Sequence, residues 1–258
     1  MVTPADPSAD IGVGAEPAAV VFVHGLLGFS EIHLPFAPIT MFRGVAEDQA
    51  GSGRALYFPT LPPVASVAER GTVLAAFLAK VPEPRIHLIA HSMGGLDSRY
   101  LIHYLDPERR VRSLTTIASP HHGSPIADWT LDTAGPFQWT IRPFLHKSLE
   151  DLRVGCCAQF NIEVPDRPDC AYFSYGAARP VAELPFYLHP FGRRLLALEG
   201  SNDGQVSVDS ARWGTYQGTL RADHFEVIGW STVPADRTSE RPFDHFALFR
   251  RILTGLLA

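Results

Sequence analysis

Ser92 stands between a short apolar run, Ile86 to Ala90, and a helix-period stretch from Met93 to Leu105. That is the setting of a nucleophile elbow, in which a strand turns sharply into a helix and presents a hydroxyl at the bend. The strained backbone of such a turn needs small residues two positions before and two after the serine, and Ala90 and Gly94 meet that need. Glycine is the usual first residue of the pentad, so Ala90 departs from the pattern by one methyl group.

A serine hydroxyl attacks a carbonyl only if a histidine takes its proton and a carboxylate holds that histidine in the right tautomer. In this strand-turn-helix architecture the acid and then the histidine follow late strands. Asp203, in Gly200-Ser201-Asn202-Asp203-Gly204, follows an apolar run at Leu195 to Leu198 that reads as a strand. His224 lies 21 residues further on, beyond a strand expected within Gly214 to Arg221. Eleven histidines compete for the role of base. His121 and His122 follow the Leu114 to Ala118 run and are expected at the rim of the site, but they precede the acid. His245, at the start of the last helix, reads as a packed or capping group. Asp209, expected inside a short helix, and Asp223, which abuts His224 too tightly to orient it, are the alternatives to Asp203. Asp203 also has a plain reading as a turn-forming Asp-Gly.

The anion formed when serine attacks a carbonyl needs two backbone donors. Met93, next to the serine at the start of the helix, supplies one N–H. The loop after the first strand, His24-Gly25-Leu26-Leu27-Gly28, is glycine-rich enough to turn its amides inward, and Leu26 is the expected second donor. His24 reads as a structural residue that hydrogen-bonds this loop, and His91 as a residue packed against the same region.

The elements that must position these groups alternate. Apolar runs at Ala19 to Val23, Ala55 to Phe58, Ile86 to Ala90 and Leu114 to Ala118 read as buried parallel strands. Ser66-Val67-Ala68-Glu69 has the form of a capping box, after which Val67, Leu74, Phe77, Leu78 and Val81 trace one helix face. Leu96, Tyr100, Leu101, Tyr104 and Leu105 do the same after the elbow. Ala171 to Ser174 reads as a further strand and Phe243 to Leu257 as a closing helix. Strands alternating with helices imply crossovers and a mostly parallel sheet covered on both faces, an α/β fold. The segment 126–164 interrupts this rhythm with Trp129, Phe137, Trp139 and Phe144. It is expected to be a helical cap or lid over the site, with its aromatics either there or in an ordinary core.

The whole chain sets outer bounds. Its 258 residues suit a single domain over 18–258 behind a flexible leader at 1–17. A net charge of -5 without long charged runs argues against nucleic acid and anionic membrane surfaces as partners. No stretch reaches the roughly 20 apolar residues that span a bilayer. The leader lacks the charged start and apolar core of a secretory signal, which favours the cytoplasm while leaving the compartment open. Cys156, Cys157 and Cys170 are expected to be free thiols.

Together these residues resemble the true bacterial lipases of the α/β-hydrolase superfamily. The resemblance rests on His24-Gly25-Leu26-Leu27-Gly28, Ala90-His91-Ser92-Met93-Gly94-Gly95, Thr116-Ile117-Ala118-Ser119-Pro120-His121-His122-Gly123-Ser124, Asn202-Asp203-Gly204 and Asp223-His224. It implies Ser92 as nucleophile, Asp203 as acid, His224 as base, and Leu26 and Met93 as oxyanion donors, with no cofactor required. Several such lipases hold a structural calcium near the histidine through paired aspartates. Here Glu226 stands two after His224 and no convincing second aspartate precedes Asp203, which argues against calcium. The resemblance implies a hydrophobic ester as substrate, with transient contact to a lipid interface. An acyltransferase or amidase on the same triad, or a noncatalytic receptor with this fold, is the alternative.

Overall fold

Continuous runs of Val, Ile, Leu and Phe make strands that are buried on both faces, and strands of that kind belong in parallel sheets. The computed structural model describes residues 17–28, 31–33, 38–231 and 243–256. Met1 to Glu16 of the expected leader and the end of the expected closing helix lie outside the described residues. In chain order the strands are β1 (Ala18–Val23), β2 (Glu31–His33), β3 (Pro38–Thr40), β4 (Ala55–Tyr57), β5 (Arg85–His91), β6 (Val111–Ile117), β7 (Ala171–Ala177) and β8 (Thr215–Leu220). The helices are α1 (Val45–Asp48), α2 (Val67–Leu78), α3 (Gly94–Tyr104), α4 (Pro125–Asp132), α5 (Pro136–Asp151), α6 (Val154–Glu163), α7 (His189–Leu198) and α8 (His245–Gly255).

Six strands form one all-parallel sheet in the order β4-β1-β5-β6-β7-β8, and β2 and β3 make a separate antiparallel hairpin that the sequence reading missed. This is the α/β-hydrolase architecture, with β1 and β5 paired so that Val23 stands beside Ala90. Alternation along β1 divides the core. Ala19, Val21 and Val23 pack with Leu74 and Leu78 of α2 and Leu101 of α3, whereas Val20 and Phe22 pack with Leu248, Phe249 and Ile252 of α8. Helices therefore cover both faces of the sheet.

The Ser66–Glu69 capping box forms as expected, with the Glu69 N–H donating to Ser66 Oγ at 3.2 Å and the Ser66 N–H to Glu69 Oε2 at 2.9 Å. Segment 126–164 folds as α4, α5 and α6. It is fastened to the body by Ser148, whose Oγ donates to the Ala65 carbonyl at 2.8 Å, and by Asp151, which accepts the Val67 N–H at 2.6 Å. Arg99 of α3 reaches the far end, donating to Asn161 Oδ1 at 2.7 Å while its guanidinium lies 3.6 Å from the centre of the Trp213 ring. Of the aromatics expected there, Trp139 and Phe144 do not join a core, being 65% and 73% exposed, whereas Trp129 lies edge-on to Phe191 at 6.2 Å. All three cysteines are free thiols, and burial pushes those of Cys157 and Cys170 up to about 12.

Three expectations need correction. Leu195 to Leu198 is not a strand but the end of α7, which starts behind Pro190 in its first turn and buries Gly192 and Leu195 while Leu196 and Leu198 face solvent. A four-residue apolar window cannot separate one helix face from a strand. Asp203 consequently lies in the β7–β8 crossover, in a small turn closed by the Asn202–Ser207 bridge. Asp209 is in an irregular turn rather than a helix, exposed and paired with Arg212 at 3.3 Å.

Phe22, Phe42, Phe58 and Phe249 form the aromatic centre on the α8 side, with Phe22 stacked on Phe58 at 4.7 Å and Phe249 edge-on to Phe22 at 5.7 Å. Phe249→Ala is expected to lower stability by roughly 3–5 kcal/mol. Urea unfolding checks this, and a loss below about 1 kcal/mol would show that α8 is held by something else.

Candidate active site

Ser92 adopts φ 55, a left-handed backbone that a non-glycine residue holds only where its surroundings impose it. Packing imposes it here. The Ser92 N–H donates to the Ile117 carbonyl at 3.1 Å, and α3 begins within two residues. A Cβ on Gly94 would lie 2.7 Å from the Val23 carbonyl oxygen, and one on Gly95 2.4 Å from Ser119 Oγ, so the helix can approach the sheet only through glycines. Ala90 is wholly buried between Val23 and Thr116, where its methyl is accommodated.

His224 and Asp203 meet Ser92 in a row. His224 Nδ1 is 2.7 Å from Asp203 Oδ2, and His224 Nε2 is 3.0 Å from Ser92 Oγ. A carboxylate accepts only, so Nδ1 carries the proton and Nε2 offers its lone pair to the serine. Asp203 is fully buried, and its other oxygen accepts the N–H groups of Gln205 and Val206 at 2.8 and 2.7 Å. The backbone N–H of His224 donates to the Asp203 carbonyl at 3.0 Å, which ties the two turns directly. His91 holds the far side of the base: its Nε2 donates to the His224 carbonyl at 2.9 Å, and burial lowers its basicity far below the usual imidazole range.

The loop after β1 is built around His24. Its Nε2 accepts the Leu61 N–H at 2.9 Å, so Nδ1 bears the proton and donates to the Gly25 carbonyl at 2.9 Å. Burial, followed by the nearby Arg70 charge, outweighs that bond and lowers the His24 pKa to about 4. Leu27 has φ 57 and donates its N–H to the Pro63 carbonyl at 2.8 Å. The N–H groups of Leu26 and Met93 have no acceptor among the described residues. Gly25 passes so close to the serine that a Cβ there would lie 2.6 Å from Ser92 Cβ.

Above Ser92 opens a cavity of about 570 Å³, lined by Leu26 and Leu27, by Ile126 of α4, by Leu145 and Leu149 of α5, and by Val206 and Phe225. No Asp, Glu, Lys or Arg lines it among the described residues. The expected rim residues are elsewhere. His121 is buried beneath the site against Thr116 and Trp213, and His122 faces a separate small cavity beside Glu199 and Asp209. His245 caps a loop instead, with Nε2 2.8 Å from the Arg43 carbonyl, and Asp223 accepts the N–H groups of Phe225 and Glu226 rather than orienting His224.

Comparison with known proteins points to the same fold. Residues 72–150 match the model of the PGAP1-like alpha/beta domain. Triacylglycerol lipase 2 of Saccharomyces cerevisiae is 33% identical over 222 residues, covering 76% of this chain and 64% of the yeast protein. Triacylglycerol lipase of Burkholderia plantarii is 33% identical over 151 residues, 51% of this chain and 40% of that protein. The mature lipase BlEst2 of Bacillus licheniformis superposes with a TM-score of 0.71 at 25% identity, covering 95% of this chain and 93% of BlEst2. The chain has the α/β-hydrolase fold and is similar to lipases of that superfamily. The metagenomic carboxyl esterase MGS0156 shares the fold, with a TM-score of 0.74 over 93% of this chain and 75% of that one, at 23% identity. The chain thus spans just under two thirds of the yeast lipase and less than half of the Burkholderia one.

The calcium site that the lipase resemblance implies does not fit the residues present. Glu226, two after His224, has its Oε2 taken by Arg179 Nε at 2.6 Å and by the Asp223 N–H at 3.0 Å. No group of three or more His, Cys, Asp or Glu among the described residues could hold a metal ion.

Sequence reasoning missed one pair outright. Arg70 and Asp97, both with fully buried side chains, meet at 2.7 Å, and Arg70 also donates to the carbonyls of Pro62 and His24 at 2.5 and 2.7 Å. Their signal was present: Arg70 falls on the face marked by Val67 and Leu74, and Asp97 on the face marked by Met93 and Leu101. A charge on an apolar face points to a buried partner.

Gly25→Ala places a methyl against Ser92 without demanding a forbidden backbone, so Ser92 or its loop must move. The variant is expected to fold with near-normal melting while its reaction with a fluorophosphonate slows roughly 100-fold. An unchanged labelling rate would mean that the loop yields freely.

Proposed function

We propose that this chain is a serine carboxylic-ester hydrolase for uncharged, hydrophobic esters. The observation that carries the reading is the row Asp203, His224, Ser92, with spacings of 2.7 and 3.0 Å, at the floor of an apolar cavity. Ser92 Oγ attacks the ester carbonyl carbon as His224 Nε2 takes its proton. The resulting oxyanion lies between the N–H groups of Leu26 and Met93, and its collapse expels the alcohol, which leaves with the proton from His224. Water then gives a proton to His224 as it attacks the acyl-enzyme carbonyl, and collapse of the second oxyanion returns that proton to Ser92 Oγ as the acid is released. Asp203, held by two backbone N–H groups, keeps the imidazole in the tautomer that both steps need. A lining without charged side chains favours acyl and alcohol groups that are themselves neutral, and relatives described as triacylglycerol lipases support the same substrate class.

Contact with a lipid surface belongs to this reading. Leu27 lines the cavity yet is 58% exposed, and Phe186, beside the lining residue Tyr187, is 83% exposed. Phe186→Asp is expected to slow hydrolysis of an emulsified triacylglycerol at least fivefold while leaving a soluble short-chain nitrophenyl ester within about twofold. Equal effects on both substrates would count against an interfacial role.

The test of the chemistry is labelling by a fluorophosphonate followed by mapping of the adduct. The adduct is expected on Ser92, and Ser92→Ala should lose both labelling and ester hydrolysis. Asp203→Asn should keep the fold and lose roughly 10³–10⁴-fold in kcat, because the imidazole is then held in the wrong tautomer. Only a neutral imidazole accepts the serine proton, so kcat/KM falls as pH is lowered through the range where histidine protonates. Ester hydrolysis that survives Ser92→Ala, or that does not fall at all on acidification, would sink the proposal.

A further inference from the structure

The turns carrying the acid and the base share an anchor that the hydrolytic reading does not use. Arg179 follows β7 directly, after Ala178, whose N–H donates to the Leu220 carbonyl at the end of β8 at 2.9 Å. From there its backbone N–H donates to the Asn202 carbonyl at 3.1 Å, one residue before Asp203. Its guanidinium turns the other way and donates through Nε to Glu226 Oε2 at 2.6 Å. One residue thus holds the Asp203 turn by its main chain and the His224 turn by its side chain.

The His224 turn is closed in both directions. Glu226 Oε2 accepts the Asp223 N–H at 3.0 Å, and Asp223 Oδ1 accepts the N–H groups of Phe225 and Glu226 at 2.8 and 2.9 Å, with His224 in the middle. This arrangement gathers the carboxyl groups of Asp203, Asp223 and Glu226 in a region closed to solvent. Burial, reinforced by Glu226 and Asp203, pushes the Asp223 carboxyl up to about 6. The cation facing this group is Arg179, whose side chain is only 4% exposed. A second guanidinium, Arg221, is further out and pairs with Glu183 at 3.0 Å, as does Arg179 Nη1 at 3.3 Å.

We propose that Arg179 is a positioning residue that serves as the internal cation of the acid and base turns, fixing His224 against Asp203 without a divalent metal. The inference rests on the reading of Ser92, Asp203 and His224 as the reacting groups. A neighbouring anionic turn needs a counter-charge to hold one geometry; a guanidinium supplies it permanently, at fixed length, and cannot be removed by a chelator. Small displacements of a general base lower the rate of the chemical step more than substrate binding, so the effect belongs in kcat rather than KM.

The experiment measures kcat and KM on a soluble nitrophenyl ester for the wild-type chain with and without excess EDTA, and for Arg179→Met, Arg179→Lys and Glu226→Gln. Thermal melting of each is recorded alongside. The wild type should be indifferent to EDTA. Arg179→Met should lose kcat roughly 10–100-fold with KM within about threefold, and Arg179→Lys, which restores a cation, should recover most of that loss. Glu226→Gln keeps an acceptor for the Asp223 N–H and removes the charge, so it gives the same kcat loss even if Arg179→Met fails to fold. Activity lost in EDTA and restored by calcium overturns the inference, as does kcat within twofold of wild type in both Arg179→Met and Glu226→Gln. Fluorophosphonate titration of the wild type separates the two levels: absent labelling at Ser92 removes the underlying reading, whereas normal labelling with unchanged variants removes only the role of Arg179.

Discussion

The buried ion pair between Arg70 and Asp97 is the constraint on which the site depends. It joins three pieces that are distant in sequence: α2, the first turn of the elbow helix α3, and the loop after β1. Arg70 reaches Asp97 at 2.7 Å and the His24 and Gly25 carbonyls at 2.7 and 3.2 Å. Breaking such a pair by removing one partner costs roughly 3–5 kcal/mol, because the other charge is left buried alone. Burial, reinforced by Asp151, outweighs the pull of Arg70 and pushes the Asp97 carboxyl up to about 7. The guanidinium holds the carbonyls of His24 and Gly25 and so fixes the loop that carries Leu26.

Backbone strain collects where this clamp acts. Among the described residues, four that are not glycine have positive φ, and three of them, Leu27, Ser92 and Ala118, lie just beyond the carboxyl ends of β1, β5 and β6. Each such residue costs of order 1–3 kcal/mol and persists only when its surroundings over-determine it. Here the surroundings are glycines that let backbones approach, buried imidazoles kept neutral, and the Arg70 clamp. Rigid support on one side of the nucleophile is matched on the other by an apolar cavity to which α4 and α5 contribute part of the wall.

Local signals were legible in the sequence. The elbow, the capping box at Ser66, the central strands and the order of Ser92, Asp203 and His224 all depend on residues close in sequence, where periodicity and turn chemistry speak directly. The structure brings those three side chains together, and His24 does the supporting work expected of it, whereas His91 holds the His224 carbonyl rather than the loop after β1. Legibility ended where the deciding partner was remote. Leu195 to Leu198 reads as a strand until the buried Gly192 and Leu195 and the exposed Leu196 reveal one helix face. His121 looks like a rim residue until Thr116 and Trp213 enclose it. The pairs Arg70–Asp97 and Arg179–Glu226 span 27 and 47 residues, and although a charge on an apolar face signals some buried partner, no local pattern says which residue it is at that range.

The central claim is that the Arg70–Asp97 pair sets the reactivity of Ser92 through the loop it clamps. A double-mutant cycle on the rate of fluorophosphonate labelling, with Arg70→Met, Asp97→Leu and the double variant, tests it most directly. Either single variant should slow labelling, and the double variant should be no slower than the worse single one, giving a coupling energy of at least about 1.5 kcal/mol. Labelling rates that simply multiply, with coupling near zero, would contradict the account.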